Sequence, residues 1–168
     1  YRPLEQRKRG GIGIPRVLNM YDDYPFWFTF LTSLGYQVVL SGKSSAKMYY
    51  KGMATVPSDS LCYPAKIAHG HIVDLIEKGV TKIFYPCEPY NMEDEVNGSD
   101  NHFNCPIVAS YAENIRGNMD ILREKHIDFI QPFLPIHDRK RLIQRLYEEL
   151  GEREKLGKPE ITAAVEAA

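Results

Sequence analysis

The chain is 168 residues long, 43% hydrophobic and 26% charged, with a formal net charge of −1. That suffices for one ordinary buried core, and the interspersed acidic and basic residues lack the footprint of a nucleic-acid binder. No stretch approaches the roughly 20 apolar residues of a membrane span, and no signal-peptide core opens the chain, so a cytoplasmic protein with neither membrane nor nucleic-acid partner is expected.

Residues 1–10 read as a polar tail that carries the basic run Arg7-Lys8-Arg9. Gly10-Gly11 then opens an apolar segment, 12–18, that reads as a buried strand despite Pro15. Asp22 or Asp23 is placed to cap a helix with Pro25 in its first turn, Trp27, Phe30, Leu31 and Leu34 on its inner stripe, and Gly35 as its stop. A second strand follows over 36–40. Ser44 or Ser45 caps a short helix ending near Gly52, and 57–62 is a polar loop. Pro64 begins the clearest helix, in which Ala68, Ile72, Leu75 and Ile76 recur on one face before Gly79.

Residues 82–85 form the next strand, running directly into Pro86-Cys87. The stretch 88–104, rich in Asn, Asp, Glu and Gly, reads as a long loop, functional or mobile. A brief strand over 107–109, a helix over 112–125 and a last strand over 127–130 complete the alternation. Asp138 caps a final helix carrying Leu142, Ile143, Leu146 and Leu150. The helix-like run from Pro159 to Ala168 has no stop signal, and the chain begins at Tyr1 without Met, so a segment cut from a longer protein is expected.

The alternation predicts an α/β fold: a doubly wound, mostly parallel sheet of four or five strands with Rossmann-like or flavodoxin-like layers. The expected organisation is a tail (1–10), an α/β cysteine-bearing domain (11–151) and the start of a truncated helical extension (152–168). In such sheets ligands sit outside the carboxyl ends of the strands.

The three cysteines are Cys62, Cys87 and Cys105, and the odd number argues against a secreted disulfide framework, leaving reduced thiols or a metal site. Cys62 precedes a helix N-terminus, where backbone N–H groups favour a thiolate. Cys87 directly follows a strand, and Cys105 ends the polar loop. Each has a proline within two residues, which stiffens its connection. Buried small hydrophobes are the competing reading, because free cysteine is among the most buried residue types. There is no C-x-x-C, so a zinc ribbon or thioredoxin-like motif is excluded. His69 and His71, two apart on a helix, read as structural or surface histidines. Gly10-Gly11-Ile12-Gly13 precedes a strand instead of following one, so it fails the context of a dinucleotide loop. No Walker, nucleophile-elbow or kinase signature is present.

Ile12-Gly13-Ile14-Pro15-Arg16-Val17-Leu18-Asn19-Met20-Tyr21, Tyr24-Pro25-Phe26-Trp27, Ser60-Leu61-Cys62-Tyr63-Pro64-Ala65-Lys66, His69-Gly70-His71, Phe84-Tyr85-Pro86-Cys87 and Asn101-His102-Phe103-Asn104-Cys105-Pro106 together carry a resemblance. Over about residues 11–150 the chain resembles the uncharacterised CoA-enzyme activase domain of large 2-hydroxyacyl-CoA dehydratase activators, itself related to the 2-hydroxyglutaryl-CoA dehydratase subunits. The resemblance implies a [4Fe-4S] cluster on Cys62, Cys87 and Cys105, with one iron left to a non-cysteine ligand; Asn101, His102 and Ser110 are the local candidates. It also implies an ATPase module elsewhere in the full-length protein, an acyl-CoA dehydratase-type partner, and no complete active site in this single lobe. The expected function is a cluster-carrying, electron-transfer domain of an ATP-driven reductive activator. A docking domain with structural cysteines and a zinc site of three cysteines plus a histidine are the alternatives.

Overall fold

A computed structural model of the chain describes residues 8–91 and 101–168. Most of the expected polar tail, including Arg7, and the middle of the 88–104 loop lie outside the described residues.

The elements run β1 (Gly11–Ile14), α1 (Met20–Ser33), β2 (Gln37–Leu40), α2 (Ala46–Gly52) with a 3-10 turn (Met53–Thr55), α3 (Tyr63–Glu77), β3 (Lys82–Phe84), α4 (Pro106–Asn118), α5 (Asp120–Glu124), β4 (Asp128–Ile130), α6 (Arg139–Glu154) and α7 (Lys158–Ala167). The sheet has four strands in the order β2-β1-β3-β4. Every pairing is parallel, with Ile12 opposite Val38, Gly13 opposite Ile83, and Ile83 opposite Phe129. This is the doubly wound fold that strand and helix alternation calls for.

The inner strands are short and apolar because they are covered on both faces: Ile12, Ile14, Ile83 and Phe84 are all buried. One face is packed by α3. A Cβ at Gly13 would lie 3.0 Å from Leu75 and from Val80, so only glycine allows the helix so near. The other face meets α1, where Trp27 stacks 5.0 Å from Phe84. On that side α7 packs against both α1 and α6, burying Ile161, Ala164 and Val165. Across the sheet, α3 contacts α2 and α4. Glu154 ties α6 to the amino ends of the strands, accepting from the Tyr36 hydroxyl at 2.5 Å and from Lys82.

Local signals act where expected at several ends. The Ser45 hydroxyl accepts from the Met48 N–H and Asp138 from the Arg141 N–H, while Gly35 and Gly79 adopt φ of +92° and +79° after α1 and α3. Four expectations are corrected. The first strand ends at Ile14 rather than at 18, because Pro15 cannot donate to the ladder and its carbonyl instead accepts from the Val17 N–H. Neither Asp22 nor Asp23 caps α1; the helix starts at Met20 behind Asn19, and both aspartates sit in its first turn, where they favour the helix dipole. Residues 107–109 are not a strand but the first turn of α4. Pro106 occupies N1, the Cys105 sulfur accepts from the Val108 N–H at 3.4 Å, and Tyr111, Ala112 and Ile115 make a buried stripe that outweighs the local strand preference of Ile-Val. The expected 112–125 helix is therefore α4 and α5, broken at Met119, whose backbone is extended.

Candidate functional site

In a parallel sheet the strands end where the following helices begin, so all three cysteine positions fall on the carboxyl side. Cys62 and Cys105 occupy N-cap positions, of α3 and α4 respectively, and both are exposed. These two helices contact each other. Cys87 lies just past β3, in a continuation of the sheet: its N–H donates to the Pro132 carbonyl and its carbonyl accepts from the Leu134 N–H, each at 2.9 Å. Its thiol is buried and faces the backbone N–H groups of Glu113 and Ala112 in α4. Burial pushes the Cys87 thiol up to about 11, and those N–H groups act in the opposite direction, so it is a neutral thiol at pH 7.

Tyr111 links the cysteine edge to the core. Its hydroxyl is pushed up to about 12, first by burial and then by negative charge on the nearby Cys62 sulfur. It lies 2.9 Å from His69 Nε2, and Thr55 Oγ1 lies 2.8 Å from His69 Nδ1. Because the Thr55 hydroxyl donates to the Gly52 carbonyl, it accepts from His69, so Nδ1 carries the proton and Nε2 accepts from Tyr111. His71 bridges Ser41 and Ser44 at 2.7 and 3.0 Å. Both histidines are fully buried, and burial lowers each to about 4. They are neutral structural joints, as their spacing suggested, but internal ones.

The three cysteines thus share the carboxyl side of the sheet, Cys62 and Cys105 at the starts of helices and Cys87 in the sheet's continuation, and all three are free. Among the described residues no three His, Cys, Asp or Glu side chains are drawn together as a metal site. Of the residues considered for a fourth ligand, Ser110 donates to the Pro106 carbonyl of its own helix, the Asn101 side-chain oxygen accepts from the Phe103 N–H, and the His102 ring packs against Tyr90.

Sequence reasoning missed Glu88. Directly after Cys87, it is fully buried, with Oε1 accepting from Trp27 Nε1 at 2.9 Å and Oε2 from Asn19 Nδ2 at 2.8 Å. Burial, reinforced by the charge of Asp23, raises it well above the usual carboxylate range. The available signal was helical spacing: Asn19, Asp23 and Trp27 recur every four residues, so polar groups share a stripe with the largest core aromatic.

These features define a doubly wound parallel α/β domain that presents thiols at the carboxyl edge of its sheet. Residues 11–168 match the profile of the CoA enzyme activase uncharacterised domain, and the chain belongs to that family. Comparison with curated proteins and with solved structures gives no match. No helix among the described residues is long and apolar enough to cross a membrane.

Proposed function

We propose that the domain carries a [4Fe-4S] cluster on Cys62, Cys87 and Cys105 and passes electrons within an ATP-driven reductive activator of 2-hydroxyacyl-CoA dehydratase-type enzymes. The observation that supports this most is the placement of all three cysteines on connections at one sheet edge, two of them exposed at the starts of helices in contact. Three thiolates suit an iron–sulfur cluster, and each comes from a separate segment, as separate cluster corners require. Cys87 would lose its proton on ligation. The ATPase module of the full-length protein and a dehydratase-type enzyme are the proposed partners.

The test is anaerobic reconstitution with ferrous iron and sulfide, followed by metal and sulfide analysis. The wild type should take up about four iron and four sulfide, and Cys62→Ala, Cys87→Ala or Cys105→Ala should each lose most of the iron. Stoichiometric zinc, or undiminished iron in all three variants, refutes the assignment.

One further observation favours a second reading, docking. A recess of about 380 Å³ beyond the ends of β3 and β4 is lined by Tyr90, Phe133, Leu134 and Pro135 and rimmed by Arg141, and Phe103 beside it is 71% exposed. Exposed aromatics with arginine are the composition of protein-binding hot spots. Under this reading an iron-free triple cysteine variant still binds the ATPase half of the protein, and Phe133→Ala does not.

A further inference from the structure

We propose that the crevice beyond the carboxyl ends of β1 and β2 binds a small organic molecule bearing one anionic group, with Arg16 holding its carboxylate or phosphate. The cavity is about 370 Å³, between the turn that follows β1, Ser44 after β2 and the start of α3. It adjoins the place where the chain order reverses at β1, the position at which doubly wound sheets hold ligands.

Arg16 lines this crevice and forms no ion pair among the described residues. Its Nε is buried and has no hydrogen-bond partner, and among the described residues no carboxylate pairs with its guanidinium. One face of the guanidinium is occupied, lying 5.3 Å from the centre of the Tyr24 ring. Its donors are not. A buried guanidinium nitrogen without an acceptor is a cost that the fold alone does not explain, and a planar fork of donors is the complement of an oxyanion. The turn that carries it is itself strained: Leu18 has φ of +52°, a left-handed conformation unfavourable for a branched side chain. The Arg16 N–H donates to Ser41 Oγ at 2.8 Å, which anchors the turn to the end of β2.

The rest of the crevice sets the ligand class. Tyr21 and Tyr63, 59% and 54% exposed, flank it, and Leu18 and Ile67 supply apolar surface. An apolar or planar body therefore fits beside the charged group. Asp22 at the rim offsets part of the arginine charge, so the site suits a single anionic group rather than a polyphosphate. A bound ligand would touch Tyr63, next to Cys62. The inference does not rest on the cluster, and it is tested on metal-free protein, so its failure would leave the cysteine assignment standing.

The experiment is a titration of the isotopically labelled, metal-free chain followed by NMR, reading the Arg16 Nε–H and the amides of Leu18, Tyr21 and Tyr63. Benzoate probes for a carboxylate, phenyl phosphate for a phosphate, benzamide is the uncharged control and ATP the polyanion. Benzoate or phenyl phosphate should shift these signals saturably, the tighter of the two naming the source, while benzamide and ATP leave them in place. Arg16→Gln should weaken binding at least tenfold and Arg16→Lys less, because the charge stays and the fork is lost. Tyr63→Ala, at an exposed position, should weaken it with the rest of the spectrum unchanged. Shifts that persist in Arg16→Gln, equal binding of ATP, or no saturable shift up to roughly 20 mM ligand overturn the proposal.

Discussion

Gly70→Ala places a methyl group where α2 crosses α3. An ideal Cβ at this position lies 1.8 Å from the Met48 carbonyl oxygen and 2.7 Å from the Met48 carbonyl carbon. Ordinary contact begins near 3.4 Å, so α2 must retreat by more than an ångström, and because the obstacle is backbone no side-chain rotation relieves it. Two effects oppose each other. Alanine is favoured over glycine in a helix interior by about 1 kcal/mol; overpacking costs about 1–3 kcal/mol and more when backbone must move. The retreat also loosens the packing of buried Met48 and the bond from His69 to Thr55. A net loss of about 2 kcal/mol is expected, or a Tm lower by about 4–8 °C for a chain of this size. Gly117→Ala is the internal control, since a Cβ there meets nothing within 4 Å, and it should be neutral or stabilising by up to about 1 kcal/mol. Urea and thermal unfolding of both variants decide the matter. A Gly70→Ala protein as stable as the wild type would show that the close crossing of α2 and α3 is not what that glycine is for.

Two other outcomes follow from buried titratable groups. His69 and His71 are held neutral down to about pH 4 against an ordinary value of 6.5, so between those limits the unfolded chain binds protons that the folded chain does not. Stability should therefore fall as pH drops through this window, by up to about 1.4 kcal/mol per pH unit for each histidine; His69→Gln should halve the slope of urea midpoint against pH, and an unchanged slope refutes the assignment. Glu154, 9% exposed, would be raised by burial alone, but hydrogen bonds from Lys82 and Tyr36 hold it below the usual carboxylate range. Glu154→Gln should cost about 2 kcal/mol at pH 7 and a smaller amount in acid, where the wild-type carboxylate is itself protonated; an equal cost at both pH values contradicts the charge-assisted network.

Much of the architecture is encoded locally, and so was legible in the residues alone. Short apolar runs alternating with helical stripes dictate a parallel α/β sheet, and Ser45, Asp138, Gly35 and Gly79 mark helix ends because capping depends on only a few neighbouring residues. For the same reason Cys62 was legible at the start of a helix and Cys87 at the end of a strand, whereas Cys105 was legible only as the end of a loop. What the tertiary structure decided depends on partners far away in the chain. Residues 107–109 become helix because Tyr111, Ala112 and Ile115 are buried. His69 can be buried because Tyr111, 42 residues away, completes its hydrogen bonds, and Glu88 because Asn19 and Trp27, 69 and 61 residues away, receive it. The buried Nε of half-buried Arg16 lacks such a counterpart among the described residues. Residue type sets the cost of burying a polar group, and strand order decides which groups arrive to offset it.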